Sequence, residues 1–201
     1  MQGELNYYYG AMGSGKTREL LKTLYSKRED GFSAIILKPK LDKKGEDYIV
    51  SRDNNKYKVD FLVAEKDNIY TYICKYIIDN NLDFILVDEA QFLNTHHIDE
   101  LSDIVDILNI SVICYGLKTD FKGNLFEGSK RLLEISDNII EIKRQCSCGN
   151  KKIYNVRMEN GIPVFDGDQI MIDGVDATYE AKCRKCYKEL KKTYKKIRKI
   201  R

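Results

Sequence analysis

Within the first twenty residues stand Gly10, Ala11, Met12, Gly13, Ser14, Gly15, Lys16 and Thr17, the complete spacing G-x-x-x-x-G-K-T. Glycines at these positions let successive backbone N–H groups turn toward one point, which is how a main chain binds phosphate oxygens. The lysine can reach the terminal phosphates of a nucleoside triphosphate, and the threonine hydroxyl can hold Mg²⁺. The apolar residues 5–9 read as a strand before the loop, and Leu20, Leu21 and Leu24 are spaced for one face of a helix after it. That strand–loop–helix context separates a phosphate loop from a glycine-rich turn that merely precedes a helix.

A second constellation begins at Phe84-Ile85-Leu86-Val87, an apolar strand that ends in Asp88 and Glu89. Ligands of open α/β sheets bind beyond the carboxyl ends of the strands. There Asp88 can serve Mg²⁺, and Glu89 can act as a base toward a hydroxyl or a water. A charged turn capping the next helix is the plainer alternative. Asp88-Glu89-Ala90-Gln91 also resembles the motif of DEAD-type helicases, but those need two ATPase lobes and this chain has room for one.

Of six cysteines, four form two pairs, Cys146-x-Cys148 and Cys183-x-x-Cys186, around a β-rich stretch. Four thiolates suit a tetrahedral structural Zn²⁺. A disulfide or free thiols are the alternatives, the former disfavoured in a reducing compartment. Cys74 falls in a helical pattern and Cys114 in a strand, and both read as inert core.

The elements that must hold these groups alternate. Short continuous apolar runs at residues 34–37, 84–87, 112–115 and 139–142 are separated by helix-spaced stretches such as Ile69, Ile73, Tyr76 and Ile98, Leu101, Val105, Leu108. This pattern predicts a parallel sheet covered on both faces, a P-loop (RecA-like) α/β domain over residues 1–143. A small β-rich zinc-binding domain is expected over 144–190 and a basic, solvated tail over 191–201. Residues 42–57 are polar and aperiodic, so they read as a surface loop and a candidate lid.

The chain has 201 residues, is 43% hydrophobic and carries a formal charge of +3. That is enough for a real core and too little charge to argue for nucleic acid by itself. With no apolar run approaching the ~20 residues of a membrane span and no basic-then-apolar leader, a cytoplasmic protein without a membrane partner is expected.

Taken in order, these motifs resemble the type II thymidine kinases, zinc-containing P-loop kinases, over nearly the whole chain. The resemblance rests on residues 9–20, on I-x-x-D-E-x-Q-F at 85–92, and on Y-G-L-K-T-D-F at 115–121 and its continuation to Leu133. It extends to Gly174-Val175-Asp176-Ala177-Thr178-Tyr179 ahead of the second cysteine pair. It implies transfer of the ATP γ-phosphate to the 5′-hydroxyl of thymidine, with Glu89 as general base and Lys16 stabilising the transferring phosphoryl. The ATP set is Gly10 to Thr17 with Asp88 and Gln91, and Thr17 and Asp88 serve Mg²⁺. Phe121 would stack on the base, Tyr179 would close over the nucleoside, and Met12 and Leu117 would wall the pocket. Ile170, Ile172 and Gly174 would offer backbone groups, and Arg52 and Asp53 belong to the lid. Cys146, Cys148, Cys183 and Cys186 would hold the zinc.

The same resemblance implies a homotetramer inhibited by thymidine triphosphate, with no nucleic-acid partner. Deoxyuridine stays open as a second acceptor, since one methyl separates the two by only ~1–3 kcal/mol. Two departures stand out. The first cysteine pair is C-x-C, and Lys118 replaces the usual arginine, giving a point charge where a planar fork would stand. A nucleic-acid-dependent ATPase with a zinc ribbon is the alternative, and it would hydrolyse ATP in response to polynucleotide.

Overall fold

A computed structural model describes residues 2–50, 56–169 and 177–198. Its frame is a six-stranded sheet in the order β5-β2-β6-β7-β1-β8. The strands are β1 (Leu5–Tyr9), β2 (Ala34–Pro39), β5 (Phe61–Val63), β6 (Phe84–Val87), β7 (Ser111–Gly116) and β8 (Asn138–Glu141). Every neighbouring pair is parallel. The α/β fold read from the sequence is therefore present. The helices are α1 (Lys16–Glu29), α2 (Ile69–Asp79), α3 (Thr95–Leu108) and α4 (Glu127–Ile135).

The central strands are apolar throughout because both faces are covered, yet their side chains divide with period two. Ile36, Leu86, Ile113 and Tyr115 face α1, where Leu20, Leu21 and Leu24 meet them. Ile35, Leu37, Ile85, Val87, Val112 and Cys114 face the other way, against Ile73 of α2, Leu101 and Ile104 of α3, and Leu132 of α4. Burying one leucine such as Leu24, which is fully buried, contributes about 1.5–3 kcal/mol. Asn68 and Asn94 cap α2 and α3, accepting from the N–H groups of Thr71 at 2.6 Å and His97 at 2.9 Å. The burial of Cys114 pushes its thiol well above the ordinary range, as suits an inert core residue.

The polar stretch after β2 is more ordered than its composition suggests. Strands β3 (Tyr48–Val50) and β4 (Lys56–Lys58) pair antiparallel, and Ile49 is buried beside α1. Lys38 organises the approach to them from inside the core. Its ammonium donates to the carbonyls of Lys44 at 2.5 Å and Glu46 at 3.1 Å, and pairs with Asp42 at 3.0 Å. Arg52 and Asp53 lie outside the described residues.

Beyond β8, β9 (Tyr154–Glu159) is the centre of a three-stranded antiparallel sheet, between β10 (Ile162–Val164) and β11 (Ala177–Lys182). Helix α5 (Arg184–Arg198) follows, so the residues read as a solvated tail are helical as far as 198. Its Tyr187 packs with Val156 and Phe165 in a small separate core. The Tyr187 hydroxyl donates to the carbonyl of Phe121 at 2.9 Å, tying this unit to the parallel sheet. Among the described residues, no helix is long and apolar enough to cross a membrane.

Candidate active site

The phosphate loop joins β1 to α1 at the carboxyl edge of the sheet. Gly15 has φ +96°, a left-handed conformation that favours glycine. At Gly10 the constraint is space, since an added Cβ would fall 2.4 Å from the Ser14 hydroxyl and 2.7 Å from the Ile142 carbonyl. Lys16 is nearly buried, with its ammonium 3.4 Å from the carbonyls of both Gly10 and Ala11.

Beside the loop, β6 delivers Asp88 and Glu89. Asp88 is 4% exposed, and its Oδ1 has no hydrogen-bond partner among the described residues. Burial and the neighbouring Glu89 charge push its carboxyl up to about 7, against the pull of Lys16. An oxygen buried without a partner is costly. It fits a group that a cation or an ordered water satisfies.

Glu89 adopts φ 48°, unusual outside glycine, asparagine and aspartate. Its carboxylate accepts from the Gln91 amide at 2.6 Å. The other end of that amide accepts from the Leu117 N–H at 2.9 Å. Gln91 is 2% exposed. Its side chain is thus engaged by Glu89 on one side and by the strand-end loop on the other. Leu117 is held from the far side as well, its carbonyl accepting from Tyr7 at 3.0 Å and Ser129 at 2.6 Å.

Lys16, Thr17, Glu89, Met12 and Leu117 line one cavity of about 300 Å³, together with Arg144 and Lys44. A second cleft of similar size shares Met12, Gly13 and Arg144 and extends to Tyr179 and Lys182. Met12, Leu117 and Tyr179 therefore come together around the loop. Phe121 does not line either cleft. It is 2% exposed, beneath the Arg157 guanidinium at 5.3 Å from the ring centre. Ile170, Ile172 and Gly174 lie outside the described residues. The ammonium of Lys118 sits 5.2 Å from the ring centre of Tyr9, so its charge rests on an aromatic face.

Three polar residues at this site stand in no motif. Asn155 of β9 accepts from the Met12 N–H at 2.8 Å and donates to the Thr119 carbonyl at 3.1 Å, clamping the phosphate loop to the second unit. Arg144 donates to the Gly13 carbonyl at 2.6 Å. Arg157, 5% exposed, pairs with Glu159, while its Nε and Nη1 have no partner among the described residues. Spacing gives no signal for Asn155 and Arg144, because their partners on the phosphate loop, Met12 and Gly13, lie more than a hundred positions away.

The four paired cysteines converge. Their sulfurs all lie within 4.8 Å of one another, with Cys148 3.4 Å from Cys183 and 3.5 Å from Cys186. Bonds of about 2.3 Å to a tetrahedral Zn²⁺ would set the sulfurs about 3.8 Å apart, so the donor set fits that ion. Backbone N–H donors pull the Cys146 thiol down to about 6, while hydrogen bonds with the neighbouring thiols push Cys186 up to about 12. The C-x-C spacing closes because residues 146–150 make a tight turn, the Cys146 N–H donating to the Asn150 carbonyl at 2.8 Å.

Comparison with known proteins adds a sequence-wide relation. A family model described as thymidine kinase matches residues 3–187. A thymidine kinase of Enterobacteria phage T4 is 42% identical over 190 residues, covering 94% of this chain and 97% of the relative. A thymidine kinase of Streptococcus pyogenes is 40% identical over 185 residues, covering 92% and 96%. One from Francisella tularensis is 36% identical over 195 residues, covering 92% and 97%.

Proposed function

This chain belongs to the thymidine kinase family, and from that premise we propose that it transfers the γ-phosphate of ATP to the 5′-hydroxyl of thymidine. The observation that carries the reading is the Glu89 carboxylate, fixed by Gln91 and facing the same cavity as Lys16 and Thr17. A phosphate loop alone binds a triphosphate. A positioned base beside it adds an acceptor hydroxyl to the reaction.

In this reading Glu89 accepts the proton of the 5′-hydroxyl as its oxygen attacks the γ-phosphorus, and ADP leaves. Lys16 exchanges its two long carbonyl contacts for phosphate oxygens and stabilises the charge that spreads over them. Loop N–H groups from 12 to 17 hold the β- and γ-phosphates. Mg²⁺, when bound with ATP, neutralises phosphate charge, and Thr17 with Asp88 would hold it. Met12, Leu117 and Tyr179 contact the nucleoside. Phe121 lies beneath the Arg157 guanidinium, whose Nε and Nη1, without a partner among the described residues, suit the base. Ile170, Ile172 and Gly174 keep their expected backbone roles, and Arg52 and Asp53 their role in the lid. The cysteines hold a structural Zn²⁺.

We divide the chain at 143/144 and at 190/191, with the last segment continuing α5. The cytoplasm suits a reduced four-thiol centre. Homotetramer formation and inhibition by thymidine triphosphate follow from the family premise, and light scattering and an inhibition curve test them. The decisive experiment is a screen of deoxynucleosides with Mg-ATP, read as ADP release. Thymidine should stimulate turnover, deoxyuridine should do so to a lesser degree, and a flat response to every nucleoside would refute the reading.

A further inference from the structure

Helix α5 contains eight cations against one anion, Glu189. That is +7 in a chain whose total is +3, so all other residues together carry −4. A modest overall charge thus conceals one strongly basic element on an acidic body.

The helix sorts its side chains by face. Tyr187, Leu190 and Tyr194 form the apolar stripe and pack with Val156 and Phe165. That stripe is already occupied, so it cannot lie in a lipid interface as a membrane-surface helix requires. Lys185, Lys188, Lys192, Lys195 and Lys196 are exposed, and none forms an ion pair among the described residues. Lys191 is the exception, drawn over the rings of Phe165 and Tyr187. The exposed cations recur every three or four residues, so each turn of ~5.4 Å presents another charge along one row. At its start the row meets an open groove of about 620 Å³ lined by Lys151, Arg184, Lys185 and Lys188, with Asn150 and the apolar Ile153 among them.

We infer that this row binds the phosphate backbone of nucleic acid without regard to sequence. A linear array of like charges matches a regular polyanion. Among the residues whose side chains are described, no aromatic or large apolar group is exposed between these lysines, so this part of the surface lacks the anchors that a specific protein partner engages. It equally lacks base-reading groups, which leaves backbone contact alone. The low net charge of the whole chain argued against nucleic acid at the sequence level. The separation of +7 from −4 removes that objection.

The test uses the full chain and a short fluorescein-labelled single strand of mixed sequence, followed by anisotropy across a salt series. If four lysines each neutralise a phosphate, the affinity should fall about fifty-fold between ~50 and ~200 mM salt, from a slope of about −0.7 per phosphate. Lys188→Glu, Lys192→Glu and Lys195→Glu together should weaken binding at least ten-fold, and the neutral triple glutamine variant should do so by less. Thymidine-dependent turnover should persist in both variants, which shows that they are folded. Absence of binding at the lowest salt, a flat salt dependence, or unchanged affinity in both variants would overturn the inference. So would stronger competition by polyglutamate than by unlabelled DNA, which would assign the row to an acidic protein. Failure of the kinase reading would appear in the turnover assay and leave the anisotropy result intact.

Discussion

Glu89 combines a left-handed backbone with a carboxylate gripped from one side, and the two features have one consequence. A non-glycine residue held in this region costs on the order of 1–3 kcal/mol. Here it turns the side chain out of the strand direction and over the phosphate loop, where Gln91 fixes it at 2.6 Å. Glu89→Gln preserves the shape and removes the base. Its kcat for thymidine phosphorylation should fall about 10²–10⁴-fold, with ATP affinity by calorimetry unchanged. Gln91→Leu should lower kcat as well, and it also strands the Leu117 N–H, a loss of about 1–3 kcal/mol visible in thermal melts. Asp88 makes a different prediction. Its carboxyl rises from 3.8 to about 7 on folding, chiefly through burial. Below the lower value both states hold the proton. Between the two values only the folded state holds it, so the ligand-free protein loses stability as pH climbs through this window and levels off above it. Asp88→Asn should therefore melt higher than the parent at about pH 8 and match it near pH 4. The placing of the two carboxylates at the strand end beside the phosphate loop was legible in the sequence, because an apolar run ending in Asp-Glu marks that edge of the sheet. The duty of Gln91 was not, since an amide two residues further on serves a phosphate or a carboxylate equally well until its partners are seen.

At the scale of elements, the parallel strands were readable as continuous apolar runs, but which residues face α1 was not. Burial on both faces erases the alternation in polarity that would reveal the split between Ile36 and Ile35, or Leu86 and Ile85. Residues 42–50 misled in the other direction. Their order comes from Lys38, a buried ammonium bonded to loop carbonyls, and a lone lysine in an apolar run signals nothing of that kind. Helix α5 also read as a frayed tail, because lysines outnumber the apolar residues that dock it. Its hold on the parallel sheet passes through the Tyr187 hydroxyl and the Phe121 carbonyl, both buried. Tyr187→Phe leaves that carbonyl without its donor and should lower stability by about 1–3 kcal/mol, measured by urea denaturation. If α5 were a solvated appendage, the same substitution would leave the midpoint where it was.

Across the whole molecule, the two units meet on the phosphate loop itself, and this makes the cysteine centre relevant to chemistry it does not touch. Arg144 lies two residues before Cys146 and bonds to Gly13, while Asn155, at the start of β9, bonds to Met12. Both contacts depend on the hairpin between 146 and 150 and on the strands behind it, a unit whose own core is small, centred on Val156, Phe165 and Tyr187. A core of that size needs a covalent or metal staple to stay folded. With zinc in the four-thiol site, the loop is clamped from the second unit at two adjacent backbone positions. Without zinc, the clamp loosens and the loop N–H groups lose their common aim. Cys183→Ser should therefore lower zinc content, measured by metal analysis, and weaken ADP binding, measured by calorimetry in the absence of nucleoside. Arg144→Ala should reproduce part of the second effect with zinc retained. The pairing of these results separates a clamp from a passive brace. A brace predicts that ADP affinity survives in Arg144→Ala at full strength, whereas the clamp predicts a loss there that zinc cannot restore.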